Sequence, residues 1–338
     1  MKFGPVPVAE AVGAIVAHAV RRDGLMLKKG QIVTAEQQAS LVAAGVAEII
    51  VARLEPGDVG EDEAARMLSE RLAGDHVRCE RAFTGRVNLF AEEAGLVAID
   101  AAAIARVNAV GEEITAATLA PYSAVARGDM IATVKIIPFA VSRRSLEASL
   151  AAAKGAVRVA PYRPLSIGVV STLLPGLKTS VVNKTLRILA DRVAPAGATI
   201  VRDERVAHEV GALAGALEAV ASDCDVTVIF GASAITDRRD VIPAAIEALG
   251  GRIEHFGMPV DPGNLLLLAD YGGKPVIGAP GCARSPKENG FDWVLRRILA
   301  DVPISGADIK AMGVGGLLME IASRPQPRLG DGSGPRDG

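Results

Sequence analysis

The stretch from Asp225 to Phe256, DVTVIFGASAITDRRDVIPAAIEALGGRIEHF, decides the fold. Its opening DVTVIF is a continuous apolar run, which predicts a strand buried on both faces. GASAITDRRD then gathers small residues and an acid/base cluster into a loop. Asp240 stands where a helix N-cap belongs, VIPAAIEAL has helical apolar spacing, and Gly250-Gly251 stops the helix before the strand RIEHF.

The same alternation extends on both sides. LSIGVVS reads as a buried strand, TSVVNKTLRILADRVA as a helix, ATIVRD as a strand and RVAHEVGALAGALEAVAS as a helix. After RIEHFG, NLLLLADYGGKPVIGAP reads as a hairpin turning at Tyr271-Gly272-Gly273, and SPKENGFDWVLRRILADV as a closing helix with Ser285 as N-cap and Pro286 as its first residue. The expected fold class is α/β, a mostly parallel sheet with helices on both faces, over residues 165–305. AVRVAPYRP, with prolines at 161 and 164, reads as the linker leading into it, and the main boundary is placed near Pro164.

The first half has a different texture and predicts smaller mixed α/β or β-rich units. In residues 1–76, Thr34 and Gln37 form a capping-box pattern ahead of a helix to Ala44, followed by the strand VAEIIVARL and the helix GEDEAARMLSERLAG. Residues 77–160 offer strands at HVRCERAF, GLVAID and DMIATVKIIPF, with helices at AAAIARVNAVG, capped by Asp100, and SRRSLEASLAAAKG. The Pro/Gly-rich tail 323–338 is expected to be disordered.

Composition excludes several classes. Of 338 residues, 50% are hydrophobic but only 3% aromatic, and the formal net charge is -2, so there are few platforms for stacking bases and no broad cationic face for nucleic acid. No apolar run approaches the roughly 18 residues that suggest a membrane span, and the opening lacks the marks of a signal peptide, so a cytoplasmic protein is expected. Cys79, Cys224 and Cys282 are far apart with no CxxC spacing, which points to neither a disulfide framework nor a zinc site.

In a doubly wound sheet, ligands bind beyond the carboxyl ends of the strands. Four loops fall there. In STLLPGLKTS, Thr172 and Lys178 offer a hydroxyl and an ammonium near a helix start. In GASAITDRRD, Gly231 and Ser233 allow close approach of a ligand to backbone, Asp237 and Asp240 offer carboxylates for a divalent cation such as Mg, and Arg239 a charge for a phosphate. MPVDPGN carries Asp261, Gly263 and Asn264, and APGCARSPK carries Gly281, Cys282, Ser285 and Lys287. Plain structural roles compete with each: Asp240 and Ser285 as caps, Asp261 and Asn264 as turn residues, Cys282 as a small packing residue.

Taken together and in order, these loops resemble the molybdopterin-binding domain shared by molybdopterin adenylyltransferases and molybdopterin molybdenumtransferases. FGASAITDRRDVIPAAIEALGG is similar to their GG[TS]G…RDVTPEA loop, and MPVDPGNLLLLADYGGKPVIGAPGCARSP to MKPGKPLxxGxxxGKPVxGLPGNPxS. LKKGQIVTAEQQASLVAAGVAEIIVARLEP is similar to a segment that accompanies the domain in molybdenumtransferases, here placed near the N-terminus. Three departures stand out: Asp261 and Asn264 replace two lysines, STLLP (171–175) replaces the acidic STGDE, and Ala232 and Ala234 replace glycines.

The resemblance implies a pterin-binding protein acting in molybdenum cofactor biosynthesis, maturation or delivery. Its ligand would be molybdopterin or the molybdenum cofactor, with Mg and ATP if active. Asp237 and Asp240 would be the catalytic carboxylates, with Asp237 also the Mg ligand. Thr172, Lys178, Gly231, Ser233, Arg239, Asp261, Gly263, Asn264, Gly281, Cys282, Ser285 and Lys287 would be the binding set. Partners would be a cytidylyltransferase or a molybdoenzyme, and the chain a homo-oligomer. Alternatives are an active adenylyl or molybdenum transferase, and an enzyme of the competence-damage type that processes pyridine nucleotides.

Overall fold

The computed structural model describes residues 1–22 and 24–318, so the tail 323–338 lies outside the described residues. The chain divides into two compact units, Met1–Arg163 with Ala300–Val302, and Pro164–Leu299 with the described residues from Pro303 onward.

The first unit has two hydrophobic cores. In the smaller, strands Lys2–Pro7, Glu48–Arg53 and Ile15–Val16 form an antiparallel sheet, and Leu41 of the helix Ala35–Ala43 packs with Val16, Leu27 and Val51. That helix starts on a reciprocal capping box: Gln37 N donates to Thr34 Oγ1 (3.2 Å), and Thr34 N to Gln37 Oε1 (3.0 Å). The larger core buries Leu68 and Leu72 of the helix Glu61–Leu72 with Val87, Leu89, Val134 and Ile136 of a four-stranded antiparallel sheet.

Two expectations for this unit need correction. HVRCERAF is a strand only over Val77–Cys79. The presumed linker contains a strand, Val157–Pro161, antiparallel to Gly95–Ile99. Val157 and Val159 point into the larger core, so alternation outweighs the prolines, which sit at and beyond the strand's end. Gly95 permits the pairing, since a Cβ there would lie 2.1 Å from Ala160 O.

The second unit is built on one six-stranded sheet. Its elements are β1 (Ser166–Leu173), α1 (Thr179–Val193), β2 (Thr199–Ala207), α2 (Val210–Asp223), β3 (Val226–Phe230), α3 (Val241–Ala248), β4 (Arg252–Phe256), β5 (Leu267–Tyr271), β6 (Lys274–Ala279), α4 (Gly290–Leu299) and α5 (Gly306–Ala311). The strand order is β2-β1-β3-β6-β5-β4. The β2/β1, β1/β3 and β3/β6 pairs are parallel, and β6/β5 and β5/β4 are antiparallel. The sheet is thus mostly parallel with an antiparallel edge. Every residue of β3 is buried, as its unbroken apolar run requires. Leu213, Leu217 and Val220 of α2 and Ile242, Ala245 and Ile246 of α3 pack with Val170, Ile229, Leu267 and Val276 of the sheet.

The β5–β6 hairpin turns at Gly272 and Gly273, whose φ of 62° and 78° match the left-handed pair that a two-residue hairpin turn needs. Two element boundaries differ from the expected ones. Arg205–Ala207 belong to β2, not to α2, because β2 is an edge strand whose alternating side chains stay partly solvated and carry charges. Arg202 pairs with Glu204 and Asp223, and Arg205 with Asp203. The closing helix begins at Gly290 rather than at Ser285-Pro286. Asn289 Oδ1 accepts from Phe291 N (3.1 Å) and Asp292 Oδ2 accepts from Asn289 N (2.8 Å), a reciprocal arrangement that starts the helix four residues later.

Candidate functional site

Because β1, β2, β3 and β6 are parallel, their carboxyl ends and the loops that follow lie at one end of the sheet. β1 connects through α1 to β2 on one side, and the chain then crosses through α2 to β3 on the other. The strand order therefore reverses between β1 and β3, where a doubly wound sheet leaves its ligand crevice.

Hydrogen bonds tie these loops together in series. Thr172, 1% exposed, sits at the end of β1; its Oγ1 accepts from Ala232 N of the loop after β3 (2.8 Å) and lies 2.8 Å from His208 Nδ1 beyond β2. Arg284, in the turn after β6, donates through Nη2 to Gly231 O (2.9 Å) and through Nη1 to Thr185 Oγ1 of α1 (3.0 Å). Gly290 N donates to Pro262 O (2.9 Å), and Gly263 packs so closely there that a Cβ would lie 2.8 Å from Gly290 N. The loops after β1, β2, β3, β4 and β6 are thus one connected rim.

The loop Pro280–Glu288 is held from beneath by Arg192 of α1. Its Nε pairs with Asp292 Oδ1 at 2.7 Å, Nη1 donates to Ala283 O (2.8 Å), and Nη2 donates to Ser285 O and Lys287 O. The two charged side chains are only 9% and 6% exposed, and the fork satisfies carbonyls that the irregular turn would otherwise leave unpaired.

The expected site residues fall into distinct groups. Thr172, Gly231, Ser233, Gly263, Gly281 and Ser285 lie in or beside the rim, as do Asp261 and Asn264, whose loop closes through Met258 N to Asn264 O (2.9 Å). Gly231 serves packing, since a Cβ there would meet Ser233 O at 2.6 Å. Ser285 does not cap the closing helix; it ends the single turn Gly281–Arg284, and its Oγ accepts from Lys287 N (3.3 Å). Lys178 and Lys287 are exposed. Cys282 is half-buried and burial pushes its thiol up, the wrong direction for a reactive thiolate.

The two carboxylates are already engaged. Asp240 Oδ1 accepts from Val241 N (2.8 Å) and its Oδ2 from Thr236 N (3.2 Å), so it closes the loop onto the start of α3. Asp237 accepts from Arg239 Nε (2.8 Å) and Arg239 N (2.9 Å). The Arg239 guanidinium, then the Arg239 backbone N–H, holds the Asp237 carboxyl down to about 2. Among the described residues no group of three or more His, Cys, Asp or Glu side chains is placed to hold a metal ion. His208, Arg192 and Arg284 were not legible as site residues. His208 was hidden inside a presumed helix, and the arginines carry no spacing signal.

Residues 166–301 match the family model described as "Probable molybdopterin binding domain", and residues 5–53 match a domain of unknown function. No curated protein matches the chain by sequence. Among solved structures, a molybdenum cofactor biosynthesis protein from Pyrococcus furiosus is 12% identical, with a TM-score of 0.27 over 89% of this chain and 64% of its own. A molybdopterin biosynthesis moeA protein from Pyrococcus horikosii is 15% identical, with a TM-score of 0.32 over 89% and 76%. The CinA protein of unknown function from Thermoplasma acidophilum is 16% identical, with a TM-score of 0.32 over 41% and 98%. The chain thus spans less than two thirds of the Pyrococcus furiosus protein, and scores this low carry no argument about fold or activity. Among the described residues no helix is long and apolar enough to cross a membrane. By the family match, residues 166–301 are similar to the probable molybdopterin binding domain associated with molybdenum cofactor biosynthesis.

Proposed function

We propose that the second unit binds a molybdopterin-type pterin at the carboxyl ends of β1, β3 and β6, and that the protein holds or delivers this cofactor during its biosynthesis. The observation that carries the reading is the connected rim at the strand-order reversal, within the span of the family match. Its small residues Gly231, Ala232, Ser233 and Ala234 leave room for a flat ring against backbone, and Ser285 and Lys287 supply polar contacts at the opposite loop.

Holding or delivery is favoured over group transfer by the state of the carboxylates. Asp240 accepts from backbone N–H groups and Asp237 from Arg239, so each would have to leave its present partners to act as a general base or a cation ligand. Titration of the protein with molybdopterin, followed by pterin fluorescence, tests the reading. Saturable binding that falls at least tenfold in a Ser285→Ala/Lys287→Ala double variant, with no turnover on addition of ATP and Mg, is the expected result. Turnover would replace delivery by transfer; absence of binding would remove the pterin.

A further inference from the structure

Arg284 stands apart from the ion-paired arginines at and beside the rim. Arg192 is matched by Asp292, Arg205 by Asp203 and Arg239 by Asp237, whereas Arg284 makes no ion pair among the described residues. Its guanidinium lies over the Phe230 ring, 5.2 Å from the centroid, and its hydrogen-bond partners, Thr185 Oγ1 and Gly231 O, are neutral. Burial pulls its pKa down and no carboxylate pushes it back. A half-buried guanidinium loses hydration that neutral partners restore only in part, so an anion has something to gain there.

A second polar group on the same face also lacks a partner. Ser171 is the register partner of Phe230 in the parallel β1/β3 pair, so the two side chains leave the sheet on the same side. Ser171 is 2% exposed, and its Oγ has no hydrogen-bond partner. A hydroxyl and a guanidinium without acidic partners therefore flank one aromatic ring at the reversal of strand order.

We infer that Arg284 is the anchoring cation for a phosphate monoester of the ligand. Two of its five N–H donors hold the turn after β6 to α1 and to Gly231, and the remaining fork takes the phosphate oxygens. The loop MPVDPGN carries no cation of its own, whereas the turn Gly281–Arg284 ends on a half-buried one. This inference rests on reading the strand ends as a ligand site, but not on the ligand being a pterin.

The test uses the full chain and inorganic phosphate as the probe, in calorimetric titrations at ionic strength matched with chloride. The wild type is expected to bind phosphate saturably with one site per chain. Arg284→Gln should weaken it at least tenfold, Arg284→Lys less, and the distant Lys310→Ala not at all. Phosphate that does not bind saturably, or that binds Arg284→Gln as tightly as wild type, overturns the inference. Should Arg284→Gln fail to fold, modification of wild-type arginines by a dicarbonyl reagent, read by peptide mass, decides: phosphate is expected to slow reaction at Arg284 at least fivefold, and an unchanged rate overturns the inference. Phosphate held through Arg284 by a protein that binds no pterin would uphold this site and remove the pterin reading. Pterin binding with no phosphate effect at Arg284 would do the reverse.

Discussion

Arg192 shows how much one buried side chain can organise. It spends its fork on a carboxylate and three carbonyls of the loop after β6, so removing it strands Asp292 in a buried position. Arg192→Ala is expected to cost about 3–5 kcal/mol in urea unfolding, the usual loss when one partner of a buried pair is deleted. Arg192→Lys should recover little, because an ammonium cannot reproduce the planar fork. Asp237 offers a contrasting prediction. Arg239→Ala should let the Asp237 carboxyl rise from about 2 toward its ordinary 3.8, as followed by carbonyl NMR through an acid titration. Both side chains are exposed, so stability should hardly change. Residues such as Asp240 and Thr34 were readable because a cap is set by near neighbours in sequence. Thr172 with His208, and Arg284 with Gly231, were not, because each contact joins residues that only the sheet topology brings together.

At the level of elements, the packing of α2 on β1 is set by a residue with no side chain. A Cβ at Gly168 would lie 2.1 Å from Val220 Cγ1 and 2.8 Å from Cys224 Sγ, both fully packed in the core. Gly168→Ala is therefore expected to lower stability by about 1–3 kcal/mol, as overpacking does, and circular-dichroism melts would show a reduced Tm. The strands and most helices of the second unit were legible because buried runs, caps and the Gly-Gly turn are local signals. The errors had local causes as well. Ser285-Pro286 imitates a helix start, but the reciprocal bonds of Asn289 and Asp292 set the true one. RVA, read as the front of α2, has β alternation that only its place at the sheet edge makes favourable.

For the whole molecule, acid sensitivity gives a test on the second unit. Burial, then the charges of Lys310 and Arg238, lowers the His255 pKa from 6.5, with Glu254 opposing. The unfolded chain then binds more protons than the native one just below pH 6.5, so stability should fall as pH drops from 6.5 through the native value. Melting curves between pH 7 and pH 5 are expected to show this loss, with a shallower slope in His255→Gln. The molecule's central feature is the reversal of strand order between β1 and β3, with its rim of tied loops and engaged carboxylates. The most direct test of pterin binding there is to purify the protein from hosts able and unable to make molybdopterin, denature it, oxidise it and assay the fluorescent pterin released. Pterin from the competent host alone, lost in the Ser285→Ala/Lys287→Ala variant, is the predicted result. No pterin from either host, and none bound on addition of molybdopterin, would contradict it.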